Sequence, residues 1–144
     1  MTGSTSQSPK RKLALNVLIV EDEALVAMDL EYMIEEAGHV PVAHADNLES
    51  ALEAAKDHRP DIALVDIQLG FGESGLQVAE QLKDRGIPVL FSTGNCPGDE
   101  GRPFALGCMH KPVVERSLRA ALEAVEATMD GAEIPDLPSS VHFY

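Results

Sequence analysis

Basic residues are scarce in this chain. Lysine and arginine number 11 against 24 aspartates and glutamates, a formal charge of −13. A surface that acidic lacks the side chains that neutralise phosphates, which argues against non-specific DNA or RNA binding. It suits cations or basic partner patches instead. Cysteine is nearly missing too: only Cys96 and Cys108 occur. They are too far apart for a C-x-x-C motif, and no His/Cys cluster completes a zinc site. Two thiols make no disulfide framework, so a reducing cytoplasm is the default expectation. No apolar run approaches the roughly 20 residues needed to span a bilayer. Lys10, Arg11 and Lys12 precede the apolar stretch Leu13 to Val20, but that stretch is interrupted by Asn16 and ends in Glu21-Asp22-Glu23. A small-residue cleavage site is absent, so this is not a signal peptide.

What remains is ordinary for a globular domain: 144 residues, 44% apolar and 24% charged. That length gives one domain with a core large enough to need no metal or disulfide staple.

Residues 1–15 form a polar, aperiodic N-terminal tail by composition. Val17 to Val20 is a short apolar run, as expected of a strand covered on both faces. A helical stripe follows at Val26, Leu30, Met33, Ile34 and Ala37, closed by Gly38. Pro41 to Ala45 reads as a second strand. Asp46 and Glu49 resemble a capping box for a second helix carrying Leu48, Ala51, Leu52 and Ala55, which Pro60 ends. Asp61 to Leu69 contains a third strand. Ser74 and Gln77 resemble another capping box, before a helix with Leu76, Val78, Ala79 and Leu82, and Gly86 closes it. Pro88 to Ser92 is a fourth strand. Asn95 to Pro103 is too rich in Gly and Pro for a stable helix. Ala105 to Met109 is a fifth strand-like run, and Pro112 sits in a first-turn position before a helix with Val114, Leu118, Leu122 and Val125. Residues 130–144 read as a loosely held tail. The alternation predicts a doubly wound α/β fold over 16–129, with a five-stranded parallel sheet of order 2-1-3-4-5 and helix 4 short or absent.

In such sheets, ligands bind outside the carboxyl ends of the strands. The first strand ends in Glu21-Asp22-Glu23, the third in Asp66, the fourth in Ser92-Thr93-Gly94 and the fifth in His110-Lys111-Pro112. Two unit charges 4 Å apart repel by about 4 kcal/mol at an effective dielectric near 20. Carboxylates gathered on one edge therefore require a proton, a basic neighbour or a cation. An all-oxygen ligand set suits Mg²⁺. Lys111 adds a positive charge for a phosphoryl oxygen, and Thr93 adds a hydroxyl donor. The task implied is holding a phosphoryl group on or beside a carboxylate.

VLIVEDE, LVDIQL, FSTG and HKP resemble, in order and spacing, the receiver domains of bacterial two-component response regulators, the CheY-like family. The resemblance implies Asp66 as phosphoacceptor, receiving the group from a sensor histidine kinase or phosphotransfer protein. It implies Mg²⁺ bound by Glu21, Asp22, Asp66 and the backbone carbonyl of Gln68. Thr93 and Lys111 would bind phosphoryl oxygens, and Pro112 would follow a cis bond. Glu23, Ala24, Ala27, Met28 and Glu31 would form the kinase-docking face, with Ala24, Ala27 and Met28 off the core stripe. FSTGN is similar to the FAT GUY-type subgroup, whose fourth helix is degenerate. Cys108 stands where the family's switch aromatic usually lies. Switching is therefore assigned to segment 94–104, with Gly94, Asn95, Cys108 and Pro112 as switch residues. Gln68 and Asn95 lie where the family tunes dephosphorylation.

Each acid or lysine alone has a plainer explanation, such as first-turn acids favoured by a helix dipole. Together, at four ends of one sheet, they favour a site. Gly70 to Gly75 spells G-x-G-x-x-G, but it follows the third strand and a carboxylate that would repel a pyrophosphate, so it is not a dinucleotide fingerprint. With only 16 residues after residue 128, the expectation is a stand-alone cytoplasmic switch, monomer or homodimer, contacting neither nucleic acid nor membrane. It is not an enzyme beyond assisting its own phosphorylation and dephosphorylation, and its output runs through protein contacts or phosphorelay. The alternatives are a phosphorylation-independent binding module and a haloacid-dehalogenase-type phosphatase. Gln68, where that phosphatase needs a second aspartate, disfavours the latter.

Overall fold

The computed structural model describes residues 14–70 and 74–144. Nearly all of the expected N-terminal tail, and Phe71 to Glu73 of the glycine-rich loop, lie outside the described residues. Strands β1 (Asn16–Val20), β2 (Val40–Ala45), β3 (Ile62–Val65), β4 (Val89–Thr93) and β5 (Gly107–His110) pair in parallel in the order β2-β1-β3-β4-β5. Helices α1 (Ala24–Glu36), α2 (Leu48–His58), α3 (Gly75–Asp84) and α4 (Glu115–Met129) cover both faces.

The central strands are mostly apolar because each face meets helices, and the two-residue period of a strand divides their apolar residues between two cores. Val17, Ile19, Ile62, Leu64, Leu90 and Met109 face α1 and α4, packing on Leu30, Ile34, Leu118 and Leu122. Leu18, Val20, Val65, Val89, Phe91 and Cys108 face α2 and α3, packing on Ala51, Val78 and Leu82. Fully burying each large side chain contributes roughly 1.5–3 kcal/mol, so this division fixes the register. It leaves the polar strand ends together on one edge.

The sheet differs from expectation at its far side. Residues 130–144 are not loose throughout: Val141–Phe143 forms β6, a sixth strand antiparallel to β5. Val141 is buried in the α1/α4 core, and Tyr144 donates its amide to the Leu106 carbonyl and its hydroxyl to the Pro97 carbonyl at 2.8 Å. Gly107 and Gly101 make room for this strap. A Cβ on Gly107 would collide with the His142 carbonyl, and one on Gly101 with the Tyr144 hydroxyl. Five strands and a short fourth helix are thus not exact. The fourth helix in chain order, α4, is 15 residues long and follows β5. The β4–β5 connection carries a single 3-10 turn, Asp99–Gly101.

Cys96 and Cys108 are not free thiols but a disulfide with Cα atoms 6.0 Å apart. Spacing along the chain could not reveal this, because β5 returns beside β4 and brings the two together. Several local expectations shift as well. The α2 capping box is Asn47 with Ser50 rather than Asp46 with Glu49. Arg59, in a left-handed conformation at φ 46°, terminates α2 ahead of Pro60. Ser74 caps α3 by accepting from the Leu76 amide. Pro112 precedes α4 by three residues and follows a cis peptide bond from Lys111. Gly38 and Gly86 take the positive φ values, 88° and 79°, that end α1 and α3.

Candidate functional site

Glu21 follows β1 directly and is 1% exposed. Its amide donates to the Ala45 carbonyl of β2, and its own carbonyl meets the His44 ring at 2.7 Å. Asp66 follows β3 and is 5% exposed, with its amide donating to the Val20 carbonyl. Lys111 follows β5, and its amide donates to the Thr93 carbonyl of β4. Backbone ladders of neighbouring strands therefore set the four site positions side by side.

The Lys111 ammonium donates to Glu21 Oε1 at 2.9 Å and to Asp66 Oδ2 at 3.0 Å. The other Asp66 oxygen, Oδ1, accepts from the Gln68 amide at 2.9 Å. Carboxylate oxygens of Glu21, Asp22 and Asp66 all lie within 4.8 Å of one another. Burial pushes the Glu21 carboxyl up, against the hydrogen bond from Lys111 that favours its charge. Burial works to lower Lys111, but its hydrogen bonds to Glu21 and Asp66 outweigh that and hold it above the usual lysine range. Two of the three acidic side chains hold the one ammonium and Asp22 stands beside them, which leaves negative charge over. A divalent cation would offset it.

Two glycines of the run 70–75, whose spelling points to a tight loop beside the acceptor, shape this corner. A Cβ on Gly70 would lie 2.9 Å from Asp22 Oδ2. A Cβ on Gly75, the first residue of α3, would overlap the Asp66 carbonyl and the Ile67 backbone. Gly75 also donates its amide to the Ile67 carbonyl at 2.7 Å. The start of α3 is thereby locked against the chain that carries Asp66. These close approaches depend on tertiary packing, and the only signal in the sequence was the glycines themselves.

Thr93 is buried at the end of β4, with Oγ1 accepting from the Asn95 amide at 3.4 Å. Gly94 and Asn95 beyond it are exposed, Cys108 is fully buried in its disulfide, and Pro112 is exposed. A cavity of about 490 Å³ opens at this edge, lined by Glu23, Asp66, Gln68, Gly94, Lys111 and Pro112 among others.

Of the expected docking residues, Glu23, Ala24 and Met28 are exposed and Glu31 is half-buried. Ala27 is not on that face: it is 1% exposed and packs in the core with Leu30 and Ile34. Ala27 lies on the core face because Ala27, Leu30 and Ile34 follow the i, i+3, i+7 spacing of one helical stripe. Leu25 and Tyr32 are exposed instead, at 76% and 59%.

Residues 17–123 match the response regulator receiver domain model. The chain belongs to this family. Receiver relatives include the polar-differentiation response regulator DivK of Brucella anthropi, 41% identical over 106 residues that cover 68% of this chain and 85% of DivK. The phyllosphere-induced regulator PhyR of Methylorubrum extorquens is 43% identical over 83 residues, 56% of this chain. The match spans only 31% of that PhyR. Among solved structures, the signal receiver domain of a modulated diguanylate cyclase from Desulfovibrio desulfuricans superposes with a TM-score of 0.73 at 33% identity, covering 83% of this chain and 99% of that one. The PhyR receiver domain of Erythrobacter litoralis superposes with a TM-score of 0.68 at 28% identity, covering 87% and 97%. A response regulator role in two-component signalling follows, and among the described residues no helix is long and apolar enough to cross a membrane.

Proposed function

We propose that this receiver accepts a phosphoryl group on Asp66 from a sensor histidine kinase or phosphotransfer protein in the cytoplasm, and that the phosphorylated form signals through protein contacts or phosphorelay. The observation that carries this is the Lys111 ammonium held between Glu21 and Asp66, with Asp22 alongside. Mg²⁺ fits the donor set: three carboxylates and a backbone carbonyl at Gln68 are all hard oxygen ligands, and when bound it supplies charge neutralisation.

The residues of the chain divide the remaining work. The Gln68 amide orients Asp66 through Oδ1. An Asp66 oxygen then attacks the phosphorus of the phosphohistidine, so the O–P bond forms as the N–P bond breaks and the imidazole leaves. Lys111 moves from the carboxylate oxygen to a phosphoryl oxygen while keeping Glu21, and the Thr93 hydroxyl donates to another. Such chemistry is mostly positioning and charge stabilisation. The exposed Leu25, Met28 and Tyr32 on α1, beside Glu23 and Ala24, supply an apolar face for the kinase.

Acetyl phosphate labelling tests the assignment. Wild type takes label only with Mg²⁺, Asp66→Asn takes none, and Lys111→Ala is labelled at least tenfold more slowly. Equal labelling of wild type and Asp66→Asn would refute it.

A further inference from the structure

The disulfide occupies a position that the phosphorylation chemistry does not use. Cys96 lies three residues after Thr93, and Cys108 three residues before Lys111. The bond therefore ties the segment leaving one phosphate-binding residue to the strand that delivers the other. It also spans the one β-to-parallel-β crossover with no α-helix among the described residues; the other three carry α1, α2 and α3. Besides the disulfide, segment 94–104 is held by the Asn95 amide on Thr93 Oγ1, the Tyr144 hydroxyl on the Pro97 carbonyl, the Lys83 ammonium on the Pro103 carbonyl, the packing of Phe104 against the α2/α3 core, and the turn's own hydrogen bonds. The two cysteines are unequal. Cys108 is fully buried, whereas Cys96 is only partly covered, so a thiol from solvent meets Cys96 first.

We propose that Cys96–Cys108 is a reversible redox modification site: its reduction frees segment 94–104 and changes how fast Asp66 takes up a phosphoryl group. The second half rests on the receiver function above. In a reducing compartment, protein disulfides are usually transient and redox-sensing rather than structural. A dithiol is the chemical class of the reductant. Its thiolate attacks the Cys96 sulfur, forming a mixed disulfide and expelling Cys108 as a thiolate that takes a proton. Its second thiolate then attacks its own sulfur in the mixed disulfide. Cys96 leaves as a thiol and the reductant as a cyclic disulfide, with two electrons and two protons passed to the protein.

Amide hydrogen exchange on the full chain, with and without dithiothreitol, reads the first half directly. Exchange across Gly94 to Phe104 rises at least tenfold on reduction, while β1 and β3 do not change. Cys96→Ser shows the fast rate in both conditions, and circular dichroism confirms that it is folded. Acetyl phosphate labelling of the same samples reads the second half. The reduced and Cys96→Ser proteins differ from the oxidised one by at least threefold in rate, and only wild type responds to dithiothreitol. Equal exchange in the two redox states, or thiols that stay free in oxidised glutathione, would overturn the proposal. Faster exchange with an unchanged labelling rate would overturn its second half. Absence of label in every sample would bring down the receiver chemistry instead, leaving the exchange result to decide the staple.

Discussion

At the residue scale, the site is governed by an excess of negative charge. Glu21 and Asp66 hold the Lys111 ammonium between them, and Asp22 stands beside them with no share in that ion pair. Removing the Asp22 charge should therefore relieve repulsion in the cation-free protein. Asp22→Asn is expected to raise the melting temperature by about 2–4 °C, the shift that about 1 kcal/mol gives in a chain of this size. It should also abolish any further rise on adding Mg²⁺, read by thermal melts with and without the ion. Gly70→Ala acts on the same side chain from outside, because its new methyl would press on Asp22 Oδ2. Mg²⁺ affinity is expected to fall about tenfold, or ~1.4 kcal/mol, by calorimetric titration, with little loss of fold stability since the end of a flexible side chain can move. The acids and Lys111 were legible in the sequence because strand-end positions on a parallel sheet converge whatever the details. Gly70 and Gly75 were not, since their importance lies in what packs against them.

At the element scale, hydrophobic period located the strands and helices, while their ends were decided by local hydrogen bonds. Asn47 and Ser50 cap each other reciprocally, and no spacing rule could choose between that pair and Asp46 with Glu49. The junction of α1 and β2 has a similar hidden dependence. His39 Nδ1 accepts from the Leu15 amide at 2.9 Å, and its other nitrogen lies 4.0 Å from Glu126 of α4. Burial depresses its pKa; Glu126 opposes this and Arg119 adds to it. The fold thus favours neutral His39, and the unfolded chain protonates first. Its contribution to stability is complete above the unfolded value of about 6.5 and is lost as pH falls through the lower folded value. Wild type should lose more melting temperature than His39→Asn between about pH 7.5 and pH 5.5, the range in which histidine titrates. An identical slope would show that His39 does not report on this junction.

At the scale of the whole molecule, the parallel sheet was legible from alternation, but its sixth strand was not. Residues 141–143 are too few and too polar in their surroundings to carry a periodic signal, and only the free edge of β5 gives them a partner. Deleting residues 137–144 removes buried Val141 and opens that edge. A loss of about 2–4 kcal/mol is expected in denaturant unfolding, with concentration-dependent self-association in sedimentation as the bared strand seeks another. The disulfide was hidden for the same reason: β5 and the segment after β4 meet only once the sheet is assembled. By contrast, the positions of Asp66 and Lys111 on one edge of the sheet are set by the ladder itself. The most direct measurement is reductive trapping of the acyl phosphate after incubation with acetyl phosphate and Mg²⁺, followed by peptide mass spectrometry. A single modified position, Asp66, is the result expected; trapped product at any other carboxylate, or none at all, would contradict the account.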